Sequence, residues 1–399
     1  IRRVKNEPIP CKNSEIESRG DINTMLDRVR SHGYNVEKHS VVTEDGYILG
    51  IFRMSKGYNS PGKGVPVLLM HSLLESSNQW TVLGPNSLAY LLADAGYDVW
   101  LGNARGTQAS RAHVYWPHHQ TMPDPLALEM KFWKFSWHEI AIFDLPEFID
   151  LILGWTNSKK LHYVGFSQGT TALMVLTSMR PEYNSKIIEA NLLAPVAYMA
   201  HVNHGLLTFL SNAENELKTV LDKLSLYKLT LENMKLVEIV KTLCEAWHQK
   251  PLAKCDLVHS QLESTQLNET SIPLIVEHAP AGISSQQLFH YGQLVNNKRF
   301  QPYDYRDDWM NRQIYGSSPP SEYDLTRITV PINLFSSHAD DKTPLEDVNK
   351  LRSQLRSVKL DHIVTVPHFG HTDFAYSRNV RTAVYDKLLT VMNNANKHY

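Results

Sequence analysis

His162-Tyr163-Val164-Gly165-Phe166-Ser167-Gln168-Gly169-Thr170-Thr171 reads as a strand, a sharp turn and the start of a helix. The run up to Phe166 is apolar, and Ala172-Leu173-Met174-Val175-Leu176 continues as a helix former. The turn matches G-x-S-x-G, the elbow that lifts a serine oxygen clear of a sheet. Gly165 and Gly169 leave room where a Cβ is expected to meet the neighbouring strand and helix. Gln168 heads the helix, so its N–H has no intrahelical partner and faces the space above Ser167. An amide so placed can stabilise the oxyanion of an acyl transfer.

The flanks support this reading. His39 to Met54 alternates around Asp45-Gly46, which predicts a hairpin with strands Ser40–Thr43 and Tyr47–Met54. Val65–Met70 and Tyr97–Leu101 are continuous apolar runs, the signature of buried parallel strands. Helices are expected at Ser87–Ala95 and Trp137–Trp155, and a further strand at Ala190–Val196. Such alternation predicts an α/β fold, a mostly parallel sheet wound by helices. After Ala197 the pattern breaks, and a buried strand returns only at Val330–Ser336. The intervening chain is too long for a plain loop in a compact domain. It carries Leu217, Leu221 and Leu224 at helical spacing. We read residues 198–325 as a helical cap or lid inserted into a core of residues 31–197 and 326–399, with 1–30 as a polar N-terminal extension. A separate helical domain is the alternative.

Composition narrows the function. The chain has 399 residues, 42% hydrophobic and 20% charged, with a net charge of −1. That near-neutral balance gives no electrostatic pull towards nucleic acid. No apolar run reaches the ~18 residues of a membrane span. The first residue is Ile1, which suggests a processed N-terminus after signal-peptide removal. Of the 3 cysteines, Cys11, Cys244 and Cys255, the last two stand close enough to bridge a short loop. Asn268-Glu269-Thr270 is an N-glycosylation sequon. Together these features lean towards the secretory route, secreted or lysosomal. No metal site or cofactor is expected: His118-His119 are adjacent, His138-Glu139 lacks the second histidine of H-E-x-x-H, and no phosphate-binding glycine motif follows a strand.

A serine hydroxyl needs a base, and the base needs an orienting acid. In the α/β-hydrolase layout they follow in the order Ser, acid, His, each after a later strand. Asp340 follows the strand at Val330–Ser336, and His371 follows one at Lys359–Val366. Asp341 and His368 are the competitors. Asp340 leaves the usual few residues before the helix at Leu345, and His371 follows Gly370 and precedes a helical segment. Asp373 reads as a cap for that segment. A second oxyanion donor is expected after Val65–Met70, at Leu73.

At this point the motifs resemble one family. They are Val42-Thr43-Glu44-Asp45-Gly46-Tyr47-Ile48-Leu49, Gly84-Pro85-Asn86-Ser87-Leu88-Ala89, Ala93-Asp94-Ala95-Gly96-Tyr97-Asp98-Val99-Trp100-Leu101-Gly102-Asn103-Ala104-Arg105-Gly106, Phe143-Asp144-Leu145-Pro146, the elbow itself, and His278-Ala279-Pro280-Ala281-Gly282. From about residue 22 to 390 the chain resembles the acid lipases, the group of lysosomal acid lipase, gastric lipase and many invertebrate lipases. The resemblance implies an α/β-hydrolase core with a cap, and hydrolysis of acylglycerols or sterol esters. It implies Ser167 as nucleophile, Asp340 as acid, His371 as base, and Leu73 and Gln168 as oxyanion donors. It matches Cys244 and Cys255 to a cap disulfide and leaves Cys11 outside the pattern. Two departures stand out. His71-Ser72-Leu73-Leu74 replaces His-Gly-Leu-Leu, so a Cβ sits beside the oxyanion loop. Asp341-Lys342 adds charge beside Asp340.

The leading reading is a lipase acting on a lipid ester, with the cap lining an acyl tunnel or contacting a lipid surface. A catalytically weak storage, yolk or lipid-carrying protein on the same scaffold is the alternative, motivated by Ser72. Another serine-hydrolase chemistry, thioester or peptide cleavage, is the third; the apolar cap favours long acyl chains.

Overall fold

A computed structural model describes residues 22–56, 64–115, 125–231, 235–248, 264 and 266–397. Cys11, Cys255 and the His118-His119 pair lie outside the described residues. The strands are β1 (Tyr34–Val42), β2 (Tyr47–Lys56), β3 (Pro66–Met70), β4 (Asp98–Gly102), β5 (Ala112–His113), β6 (Leu161–Phe166), β7 (Ile187–Leu193), β8 (Lys228–Leu229), β9 (Ile283–Ser284), β10 (Ile332–Ser337) and β11 (Val358–Val364). The main sheet runs β1-β2-β4-β3-β6-β7-β10-β11, with β5 beside β2. From β4 to β11 every neighbouring pair is parallel; the β1–β2 hairpin joins β4 antiparallel. The fold is the expected mostly parallel α/β sheet with helices on both faces.

Period-two alternation sorts the strand side chains into two cores. Leu68, Met70 and Trp100 face a cluster with Phe148, Ile149 and Leu173. Val67, Leu69, Val99 and Leu101 face the other, with Leu88, Tyr385 and Leu388. All are buried. A third apolar cluster, including Leu206, Phe209, Leu210, Leu217 and Leu288, lies in the chain between β7 and β10 and meets the core at Leu74. There β8 and β9 form a small antiparallel pair.

β1 starts at Tyr34 rather than Ser40, and β7 runs Ile187–Leu193 rather than Ala190–Val196; two further elements differ in kind. The helix Ile22–Ser31 begins inside the stretch read as a polar extension. It buries Met25, Leu26 and Val29 against the second core, while Asp27, Arg28 and Arg30 give the segment its polar look. The span Trp137–Trp155 is not one uniform helix. A capped turn at Trp137–Glu139 leads into a wider π-type stretch at Ile140–Asp144, and then into the helix Leu145–Thr156. Pro146, in the first turn of that last helix, has no N–H for a regular ladder and fits a break there.

The widened turn presents Asp144 to a fully buried arginine. Arg105 Nε donates to Asp144 Oδ1 at 2.7 Å, and the Arg105 backbone amide donates to Asp144 Oδ2 at 2.9 Å. Its Nη1 and Nη2 donate to Asp45 at 2.6 and 2.9 Å. The guanidinium carbon sits 3.9 Å from the Tyr47 ring centre. Three of the motifs quoted above therefore meet at one ion cluster. Burial opposes its charge, but Asp144 and Asp45 raise the Arg105 pKa further still. Burial also pushes Asp144 up to about 6 against the pull of Arg105. Removing one partner leaves a buried charge uncompensated. Arg105→Met is expected to lower unfolding free energy by about 3–5 kcal/mol, measured as a lower urea midpoint with an unchanged slope.

Candidate active site

β6 ends at Phe166, and Ser167 follows with φ of 51° and ψ of −112°. This is a costly conformation for a residue with a Cβ. The turn is pinned on both sides: Ser167 N–H donates to the Leu193 carbonyl at 3.0 Å, and Thr170 N–H to the Ser167 carbonyl at 2.8 Å. A Cβ on Gly165 would stand 2.7 Å from the Gly169 carbonyl carbon, and one on Gly169 would stand 2.4 Å from the Met70 carbonyl oxygen. Both glycines are thus required by backbone contact.

The structure brings two distant side chains to this turn. His371 Nε2 lies 2.9 Å from Ser167 Oγ, and His371 Nδ1 lies 2.8 Å from Asp340 Oδ2. Asp340 Oδ1 accepts from the amides of Lys342 and Thr343 at 2.9 and 2.8 Å, and Oδ2 accepts from the Thr343 hydroxyl at 2.6 Å. Burial disfavours the Asp340 charge, but His371 and these donors outweigh it and hold the carboxyl at about 2. It is a carboxylate at any working pH. The competitors stand aside: His371 takes Asp340 rather than Asp341, and His368 is exposed. Asp373 starts the next helical turn and accepts from Gly370 N–H at 2.6 Å and Ser264 Oγ at 2.5 Å. It therefore braces the histidine loop.

Gln168 opens the helix Gln168–Met179. Among the described residues, neither its amide nor that of Leu73 is taken up by another hydrogen bond. The aim of the Leu73 amide is set from behind. Ala104 N–H donates to His71 Nε2 at 3.1 Å, so the ring proton is on Nδ1, which donates to the Ser72 carbonyl at 2.8 Å. Burial holds His71 at about 4, so the ring stays neutral. In a trans peptide the C=O and the next N–H point opposite ways. Fixing the Ser72 carbonyl therefore fixes the Leu73 N–H. Ser72 itself is gripped by Gln79, which accepts from its amide at 3.0 Å and donates to its hydroxyl at 3.0 Å. The positive φ of this loop falls on Leu74, at 72°, and not on Ser72. The Cβ of Ser72 thus costs no backbone strain, and its hydroxyl has a partner. His71, Gln79 and Arg105 were not singled out from sequence as site builders. For His71 and Arg105 the signal available was their place in the quoted motifs without an assigned task; Gln79 carried none.

Above Ser167 and His371 lies a partly open cavity of about 70 Å³. Val196, Met199, Leu206, Leu207 and Leu288 give it an apolar wall, and Lys342 and His204 reach its edge. Gln287, from the chain between β7 and β10, donates to the Gln168 side-chain oxygen at 2.9 Å.

Comparison with known proteins fits this geometry. A model of the "partial alpha/beta-hydrolase lipase region" matches residues 25–84, and one of the alpha/beta hydrolase fold matches residues 65–373. Lipase 1 of Drosophila melanogaster is 37% identical over 371 residues, covering 91% of this chain and 78% of that protein. The chain belongs to the acid lipase family of α/β-hydrolases. Within this family, gastric triacylglycerol lipase of Bos taurus is 35% identical, covering 90% of this chain and 88% of that protein. A putative lipase structure from Acinetobacter baumannii AYE superposes with a TM-score of 0.52 at 12% identity, covering 98% of this chain and all (100%) of that one, a likeness of fold alone. Among the described residues, no group of three His, Cys, Asp or Glu side chains can hold a metal ion, and no helix is long and apolar enough to cross a membrane.

Gln79→Leu strands the buried Ser72 amide. It is expected to lower stability by about 1–3 kcal/mol, read by thermal or urea unfolding.

Proposed function

We propose that this protein is a serine carboxylic ester hydrolase that cleaves fatty-acyl esters, acylglycerols or sterol esters among them. The observation that carries the reading is the continuous relay from Ser167 Oγ through His371 to Asp340, at 2.9 and 2.8 Å, opening on an apolar cavity. Ser167 Oγ attacks the acyl carbonyl as His371 Nε2 takes its proton. Asp340 holds the imidazole in the tautomer with Nδ1–H and stabilises the imidazolium. The carbonyl oxygen becomes an oxyanion between the Leu73 and Gln168 amides. His371 then protonates the departing alcohol. Water, deprotonated by the same ring, releases the fatty acid from the acyl-serine. Metal and cofactor have no part in this scheme.

Residues 198–325 serve as the cap in this reading. Its apolar residues Leu206, Leu207 and Leu288 line the partly open pocket above Ser167 and contact the acyl chain. Secretion or lysosomal delivery fits Cys244, which is disulfide-bonded; Cys255 is the partner we assign. Asn268, whose Oδ1 accepts from the Thr270 hydroxyl at 2.8 Å, is the assigned glycan site. Non-reducing peptide mapping and a mass shift on deglycosylation test these two assignments.

The decisive experiment is a panel of fatty-acyl glycerol, sterol and model esters. Wild type is expected to release fatty acid, and Ser167→Ala to lose at least ~10⁴-fold in kcat. Full activity in Ser167→Ala, or no turnover by wild type, would sink the reading. His71→Phe removes the Nδ1–H that aims the Leu73 amide. It is expected to lower kcat by roughly 10²-fold, the scale of losing one oxyanion donor, with KM little changed.

A further inference from the structure

Glu75 is the buried acid that the mechanism above leaves without a task. It is 1% exposed and sits two residues after Leu73. Its backbone N–H donates at 3.3 Å to the Ser72 carbonyl, the same oxygen that His71 holds. Among the described residues, neither carboxyl oxygen makes a well-formed hydrogen bond. The side chain lies against the Tyr376 hydroxyl, which also touches Gln79, the residue that grips Ser72. Tyr376 closes the short helix Asp373–Tyr376 that begins just after His371. Glu75 therefore stands between the loop that carries the Leu73 amide and the segment that carries the histidine.

We propose that Glu75 is a positioning residue for ester cleavage: un-ionised, it packs the oxyanion loop against the histidine segment, and its ionisation disengages that loop. The inference rests on the hydrolase reading and adds a pH limit to it. Among the described residues, no cation acts on a carboxylate at this position. Among the described residues, the titratable group acting on Glu75 is the neutral Tyr376 hydroxyl, and behind it Tyr385. His71, nearby on the chain, stays neutral, and Gln79 carries no charge. Enclosure without a counter-charge favours the neutral acid. Burial, only partly opposed by Tyr376, pushes the carboxyl up to about 8. The sign follows from linkage. The folded state holds a proton that the unfolded chain releases near 4.5, so the contribution to stability is complete below that pH. It is lost progressively as pH rises to about 8. Gln can replace a neutral acid without ionising.

The test is kcat/KM for a soluble short-chain nitrophenyl ester from about pH 5 to about pH 10, which reports groups of the free enzyme. Wild type is expected to lose about tenfold per pH unit above a midpoint near 8. Glu75→Gln, whatever its rate at acid pH, is expected to lack that limb. Its melting temperature is expected to fall less than that of wild type between about pH 5 and about pH 8. Should Glu75→Gln not fold, Glu75→Met is the second variant. The infrared band of an un-ionised carboxyl in wild type at neutral pH, vanishing on alkalinisation, is the measurement that needs no variant. Superimposable pH profiles for active wild type and variant, or no such band, overturn the proposal while leaving the hydrolase reading intact. A wild type inert towards every ester at every pH overturns the hydrolase reading itself.

Discussion

Everything at this site hangs on a serine held in a backbone conformation that side chains avoid. Left-handed geometry of this kind costs of the order of 1–3 kcal/mol. It persists because the surroundings leave no alternative. β6 is hydrogen-bonded on both sides within a buried sheet, the helix Gln168–Met179 is almost wholly buried, and the glycines at 165 and 169 let strand, helix and the end of β3 touch through backbone. The strain projects the hydroxyl away from the sheet and leaves the first helical amide free beside it. A relaxed turn would tuck Ser167 back towards the strands.

A second constraint runs from the opposite direction. Arg105 is locked between Asp45 and Asp144, which fixes the chain at Ala104. The Ala104 amide sets the tautomer of His71, His71 sets the Ser72 carbonyl, and that peptide plane sets the Leu73 amide. The two proposed oxyanion donors are therefore supported independently, one by a strained turn and the other by a buried relay ending in an ion cluster. Preorganisation of this sort is what lets fixed dipoles outperform water around a developing charge.

The elbow was legible because its glycines and its change of period are local. So was the order of the other two side chains, since each follows an apolar strand run. The long-range partners were not. Arg105 and Asp45 lie 60 residues apart, and no periodicity encodes a pairing across that distance. Gln79, Tyr376 and Glu75 have no motif of their own, and their roles arise only once two loops are brought together. The helix Ile22–Ser31 was hidden because charged residues interleave its apolar face. The break at Ile140–Asp144 was hidden because a π-type turn keeps the same apolar composition as a regular one. Ser72 shows the reverse case. Its Cβ stands where the family has a glycine, whereas the left-handed residue is Leu74.

The hydrogen bond from Gln287 to Gln168 crosses from the chain between β7 and β10 to the first residue after Ser167. Gln287 is in turn fixed by the capping box it forms with Ser284. That stretch is therefore tied to the turn at Ser167 rather than merely resting above it. Any replacement must bring its own donor to that amide oxygen, or else the floor beneath the ester loosens along with the ceiling.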